Sequence, residues 1–114
     1  MSNFPQLRLR RLREISTLRQ MVRETKLSVS DFVYPVFVTH GHDVKNEIDA
    51  IPGIHQFSLD RLLSEIKEIS DLGIESILLF GVPAHKNLNA SEAHDPNGII
   101  QEAIKIIKQT VPEL

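Results

Sequence analysis

The sequence contains no cysteine, which excludes disulfides, thiolate nucleophiles and thiolate zinc ligands within it. Any metal would be held by imidazole or carboxylate groups alone. The chain also lacks an apolar run of about 18 residues, the length that a membrane helix needs. Arginines near the N-terminus are not followed by the apolar stretch of a signal peptide. We therefore expect a cytoplasmic protein with no membrane partner.

Charge is distributed unevenly along the 114 residues, whose net charge is −2. Residues 1 to 26 carry seven basic and two acidic groups, whereas residues 27 to 114 carry six basic and thirteen acidic groups. Nucleic-acid binding would favour interleaved aromatic residues, and only Phe4 lies near the arginines. Three leucines give only a hint of a membrane-binding face. The charge difference favours docking of the basic arm on the acidic body of another copy; a disordered tail remains the alternative.

Two successive units follow the arm, and each consists of an apolar strand, a polar loop and an amphipathic helix. The predicted strands are 32–38 and 77–82, and β-branched and aromatic residues favour the first. Pro35 lies within it. Because proline cannot donate to a sheet ladder, it predicts either an edge strand or a nitrogen that points away from the neighbouring strand.

Apolar residues recur at helical spacing in three places. A short helix is predicted from Thr17 to about Thr25, with a capping box between Thr17 and Gln20. A longer helix follows Ser58 as N-cap and ends before Gly73. The last helix opens after Gly98 and is ended by Pro112. The predicted buried stripes of the two longer helices consist of Leu59, Leu62, Leu63, Ile66, Ile69 and Leu72, and of Ile99, Ile100, Ala103, Ile104 and Ile107.

Two polar segments, 39–57 and 84–95, follow the predicted strands. The first contains His40-Gly41-His42, in which side chains two apart could chelate a metal with Asp43 as an oxygen ligand. No third imidazole has a fixed position nearby, so solvated or backbone-bonded histidines are the favoured interpretation. Lys45 and Lys86 are possible Schiff-base amines, but their polar surroundings favour ordinary solvated lysines.

Several segments together resemble porphobilinogen synthase, also called delta-aminolevulinic acid dehydratase. They follow the order and spacing of that family over nearly the whole chain. The matching segments are Arg10-Arg11-Leu12-Arg13, residues 18–25, residues 31–38, Ile51-Pro52-Gly53, Leu72-Gly73-Ile74, Leu79-Phe80-Gly81-Val82-Pro83, Ser91-Glu92-Ala93 and residues 107–114. The sequence departs from the family pattern at Gln56, Asn87 and Ala90.

The resemblance implies an α/β fold, namely the first two strand–helix units of a TIM (β/α)₈ barrel preceded by an extended N-terminal arm. Residues 1–30 would form the arm with its short helix, and residues 31–114 would form an incomplete barrel domain. A complete barrel needs about 250 residues. The family joins two molecules of 5-aminolevulinate into porphobilinogen, for tetrapyrrole and haem biosynthesis, and works as a homo-oligomer, often an octamer.

Family members use two Schiff-base lysines, and many need zinc or magnesium. These groups belong to later strands, so the resemblance assigns no catalytic residue and no metal ligand to this segment, and the 114 residues alone are predicted to be inactive. Phe80 is predicted to line the substrate pocket. The residues predicted to contact another subunit are Arg8, Arg10, Arg11 and Arg13. The alternative function is a non-catalytic barrel fragment that binds full-length synthase subunits and modulates their assembly.

Overall fold

A computed structural model describes residues 5 to 114 of the chain. The first four residues of the predicted arm, including Phe4, lie outside the described residues. From residue 5 to residue 33 every side chain is exposed except that of Leu18, which is half-buried. The overall extents of 64 × 34 × 25 Å agree with an N-terminal segment lying outside the packed body.

The N-terminal segment contains two short helices, α1 (Arg11–Glu14) and α2 (Ser16–Met21), and a single 3₁₀ turn at Val29–Asp31. The observed helix α2 therefore starts one residue before the predicted helix and ends four residues before it. Its predicted capping box is wrong, because Ile15 occupies the N-cap of α2 without a side-chain cap. A capping box forms instead at the 3₁₀ turn, between Ser28 and Asp31. Without a buried face, nothing extends α2 beyond two turns.

Four strands form one sheet in the order β2-β3-β1-β4. They are β1 (Tyr34–Thr39), β2 (Lys45–Glu47), β3 (His55–Phe57) and β4 (Ile77–Val82). β1 is parallel to both of its neighbours, β3 and β4, whereas β2 is antiparallel to β3. The two short strands lie in the segment that the sequence predicts as a polar loop. Each has three residues, which are too few to show the alternation of apolar and polar side chains that predicts a strand. β3 also pairs with β1, which is distant in the sequence.

Pro35 does not mark a sheet edge, because β1 lies in the interior of the sheet. The backbone nitrogen of Tyr34 donates to the oxygen of Ser76, at 2.9 Å, next to β4. Successive backbone groups alternate in direction along a strand, so the Pro35 nitrogen faces the β3 side. β3 pairs with β1 only at Phe37 and Val38. The second alternative, a nitrogen directed away from any partner strand, is therefore correct.

Two long helices cover one face of the sheet. They are α3 (Leu59–Asp71) and α5 (Ile99–Thr110), and a single turn, α4 (Ser91–His94), precedes α5. Leu72 and Ile104, which the sequence places on the buried stripes, are 66% and 46% exposed. Leu72 is the C-cap of α3, so it lies beyond the last helical residue and outside the buried stripe of the helix. The core between sheet and helices consists of Val36, Val38, Phe57, Leu62, Ile66, Ile69, Ile99, Ala103 and Ile107.

The opposite face of the sheet is apolar and uncovered by the described residues. Side chains alternate along a strand, so the residues between the buried valines of β1 face away from the helices. Phe37 on β1 is paired with Phe80 on β4, and their rings stack with centroids 5.0 Å apart. Phe80 is 44% exposed, and Leu78 on the same strand is 51% exposed. This face, bearing Phe37, Leu78 and Phe80, is called the open face below.

Candidate functional site

The carboxyl ends of β1 and β4 lie side by side, because Thr39 pairs with Val82 in their parallel register. Two connecting segments leave this edge of the sheet. Residues 40–44 lead from β1 to β2, and residues 83–98 lead from β4 to α5. In α/β proteins, ligands bind beyond the carboxyl ends of parallel strands. This edge is therefore the candidate site of the chain.

One carboxylate connects the two segments. Nε2 of His40 is hydrogen-bonded to Oε1 of Glu92, the second residue of α4. The other carboxylate oxygen of Glu92 accepts the backbone N–H of Ala84, at 3.1 Å. The hydrogen bond from His40 is the main cause that lowers the pKa of Glu92 below its usual value. Glu92 is thus a carboxylate held ionised at the edge of the sheet.

His42 and Asp43 are directed toward the start of α3 instead. Nδ1 of His42 lies 3.6 Å from Oδ2 of Asp60. The same oxygen accepts the backbone N–H of Asp43 at 2.9 Å, and the side chain of Asp43 is bonded to Nε of Arg61. A hydrogen bond from the side chain of Ser58 is the main cause that lowers the pKa of Asp60. These contacts hold His42 and Asp43 against the first turn of α3.

The metal-chelating interpretation of His40 and His42 is therefore not supported by the geometry. The two imidazoles are directed to carboxylates on different elements. Among residues 5 to 114, no three histidine, aspartate or glutamate side chains converge as a metal site would require. The described residues do not fit a zinc or magnesium ion.

A cavity of about 480 Å³ lies between residues 83–93 and the first turn of α5. Glu92 contributes to its wall, and Lys86 lines its opening and is exposed. Lys45, the other lysine considered from the sequence, is also exposed, with its ammonium 5.7 Å from the Phe57 ring centroid. Neither amine has the burial by which a Schiff-base lysine is activated. Further lining residues are Gly81, Pro83, Ile99, Ile100 and Gln101.

Phe80, the residue predicted to line a pocket, lies on the open face two residues before the end of β4. Arg8, Arg10, Arg11 and Arg13 are all exposed in the N-terminal segment. Arg10 and Arg11 adjoin the start of α1, and Arg13 offers its backbone oxygen to the guanidinium of Arg19 at 2.7 Å.

Sequence reasoning missed the role of Glu92. The residue occurs in a four-residue helix with no periodicity, and its partner His40 is 52 positions away. The sole signal was its place in the segment Ser91-Glu92-Ala93, which carries part of the family resemblance. Ala90, which precedes that segment, has φ 48° and ψ 47°, a left-handed conformation that is rare for alanine.

In the described part of the chain, no helix is both long and apolar enough to span a membrane.

Comparison with known proteins gives a consistent result along residues 6–114, which match the family model of delta-aminolevulinic acid dehydratase. The delta-aminolevulinic acid dehydratase of Synechococcus elongatus is 49% identical over 111 residues, which are 97% of this chain and 34% of that protein. That of Halalkalibacterium halodurans is 48% identical over 107 residues, covering 94% and 33% of the two chains.

Among solved structures, the porphobilinogen synthase of Toxoplasma gondii, crystallised with its reaction product porphobilinogen, superposes with a TM-score of 0.86. It is 32% identical, and the match covers 96% of this chain and 31% of that one. The chain spans about a third of the length of each of these relatives. The family resemblance read from the sequence is confirmed. The chain belongs to the delta-aminolevulinic acid dehydratase family.

Proposed function

We propose that these residues form the N-terminal part of a porphobilinogen synthase, which condenses two molecules of 5-aminolevulinate into porphobilinogen in tetrapyrrole biosynthesis. The observation that carries the proposal is the family match over residues 6–114, together with a parallel arrangement of strands. Residues 31–114 then supply the first two strand–helix units of a TIM barrel, with β1 and β4 as adjacent barrel strands. Residues 1–30 supply the arm.

The sheet itself supports the barrel proposal. β4 is an edge strand whose far side is unpaired within the described residues. Helices cover one face, and the open face carries large apolar side chains, as the packed interior of a barrel does. Further strands that continue from β4 would pair its edge and enclose the open face within the barrel. The short β2–β3 hairpin lies on the other side of β1.

In such a barrel the substrate binds at the carboxyl ends of the strands, and Phe80 would form part of the pocket wall. Its aromatic ring can exclude water from one side of a small substrate and pack against the carbon chain. The Schiff-base lysines, and the zinc or magnesium of the family, would belong to other strands. Lys45 and Lys86 are exposed, and no cluster of metal-ligating side chains occurs among residues 5 to 114. We therefore expect no porphobilinogen formation by a polypeptide of these 114 residues alone.

The arm is proposed to contact another copy of the chain in a cytoplasmic homo-oligomer, through Arg8, Arg10, Arg11 and Arg13. Their exposure and the opposite charges of arm and body support this. The alternative of a non-catalytic fragment that modulates assembly has no contact or comparison in its favour.

A chimeric enzyme tests the proposed function. Residues 1–114 replace the matching third of the Synechococcus elongatus dehydratase, and porphobilinogen is measured as the coloured pyrrole adduct. The chimera is expected to form product, whereas the 114-residue chain and the truncated remainder are not. A folded chimera without product would contradict the proposal.

The pocket-wall proposal is tested in the same chimera by F80A. Loss of the ring is expected to raise KM for 5-aminolevulinate about tenfold, since burying one large apolar side chain contributes about 1.5 to 3 kcal/mol. L72A is the matched control, because Leu72 is 66% exposed at the end of α3 that lies away from the carboxyl ends of the strands. An unchanged KM in F80A would place Phe80 outside the pocket.

A further inference from the structure

Glu92 lies where the two strand–helix units meet. One of its oxygens bonds to His40, the first residue after β1, and the other to Ala84, the second residue after β4. The carboxylate therefore bridges the ends of two adjacent parallel strands. It also forms part of the wall of the cavity beside α5.

The backbone before Glu92 turns sharply to make this bridge. Ala90 adopts the left-handed conformation, which is unfavourable for any residue with a Cβ. The turn is stabilised by Asn87, whose backbone oxygen accepts the N–H of Ala90 at 3.2 Å and whose side-chain oxygen accepts that of Ser91 at 3.0 Å. Such conformations persist where surrounding contacts over-determine them. Glu92 is the residue of this turn that contacts the other strand–helix unit.

We propose that Glu92 is a positioning residue, which through His40 fixes residues 83–92 against the carboxyl end of β1. It thereby sets the position of the segment that follows Phe80 and Gly81 at the end of β4. The location of this segment beside substrate rests on the proposed function, whereas the bridge itself does not. We assign Glu92 no contact with reacting atoms.

Other charged groups surround the bridge. His85 and Lys86 line the same cavity as Glu92. On the other side, His42 and Asp43 follow His40, but these two residues contact Asp60 and Arg61 on α3. The His42 contact is a matched control, because it involves a second histidine–carboxylate pair in the same loop that does not reach the β4–α5 segment.

Amide hydrogen exchange of Ala84, measured by NMR in the 114-residue chain, tests the bridge. H40L keeps the side-chain volume but removes the donor, and is expected to speed Ala84 exchange about threefold, the scale of a partly exposed ion pair. H40Q retains an N–H donor of similar reach and should restore slow exchange. H42L should leave Ala84 unchanged.

A second measurement follows the carboxyl carbon of Glu92 through an acid titration. Its pKa is expected to rise toward the ordinary glutamate value in H40L and to stay low in H42L. Equal Ala84 exchange in H40L and the unaltered chain would overturn the proposal, as would exchange of Ala84 at the rate of an unstructured peptide in the unaltered chain. An inactive chimera would overturn the proposed function and leave these results standing.

Discussion

Tyr34 is the one tyrosine of a chain without tryptophan, and it forms a contact between sheet and helix. Its hydroxyl donates to Oε1 of Glu65 on α3 at 2.9 Å. Burial and the neighbouring carboxylate raise the pKa of Tyr34 to about 12. The folded protein therefore favours the neutral phenol. The stabilisation is fully present below pH 10 and is lost as the pH rises toward about 12.

Titration of tyrosinate absorbance checks this expectation directly, since no other side chain contributes to the signal. E65Q should lower the Tyr34 pKa only in part, because burial, the first cause of the shift, is unchanged by this substitution. Y34F should abolish the loss of stability in this alkaline range. A Tyr34 pKa near 10 in the folded chain would refute the contact.

Ala90 offers a second test at this scale. Glycine adopts the left-handed conformation without a Cβ clash but loses more entropy on folding. A90G is therefore expected to raise the free energy of unfolding by about 0.5 kcal/mol, as the strain relieved slightly exceeds the entropy cost. Urea unfolding measures the change, with A93G in α4 as the control that should not stabilise. A destabilised A90G would show that Ala90 is not strained.

Hydrogen bonds between side chains that are far apart in the sequence were the least predictable feature of this chain. Tyr34 and Glu65 are 31 positions apart, and His40 and Glu92 are 52 apart. No local spacing encodes such pairs, because the crossover of the chain brings them together. At His40 and His42 the sequence permits a shared metal site without favouring it, and the structure directs the two imidazoles to carboxylates on different elements.

At the scale of elements, β4 and α5 approach each other closely at Gly81. A Cβ built at Gly81 would lie 2.8 Å from Cγ1 of Ile100 and 3.0 Å from Cγ2 of Ile99. Only glycine allows this helix to lie so close to the strand. The distance between β4 and α5 therefore depends on the absence of a side chain at Gly81.

G81A is accordingly expected to lower the free energy of unfolding by about 1 to 3 kcal/mol, the usual cost of overpacking. Combining it with I100A should cost less than the sum of the two single changes, because the truncated side chain makes room. Urea unfolding of the four variants in this cycle provides the coupling free energy. Strict additivity would argue against the close contact.

The longer elements were predictable because each carries a strong local signal. The sequence placed β4 at its observed bounds, and Ser58 and Gly73 bracket α3, with Gly73 at φ 81°. α1, β2, β3 and α4 were missed. They have three or four residues each, so their existence depends on pairing and turns that local periodicity does not contain.

At the scale of the whole molecule, the open face is the largest departure from a self-contained fold. Exposed apolar patches of this kind favour association. We expect the 114-residue chain to self-associate, and L78K to weaken that association about tenfold, since one buried leucine contributes about 1.5 to 3 kcal/mol. Sedimentation velocity measures the effect.

L88K is the matched control for this experiment. Leu88 is fully exposed but isolated in the β4–α5 segment, away from Phe37 and Phe80. Its replacement should leave the association constant unchanged. Equal effects of the two substitutions would mean that general hydrophobicity, and not the open face, drives association.

The N-terminal segment has a consequence for how the chain can change over time. Between residues 5 and 35 no side chain is buried, and the first is Val36. Replacements of residues 5–33 therefore leave core packing unchanged, and natural selection acts on them mainly through contacts that this segment makes outside the packed body. Sequence differences among relatives in residues 5–33 should thus follow changes in those external contacts. Sequence differences from Tyr34 onward should be limited by the packing of the core.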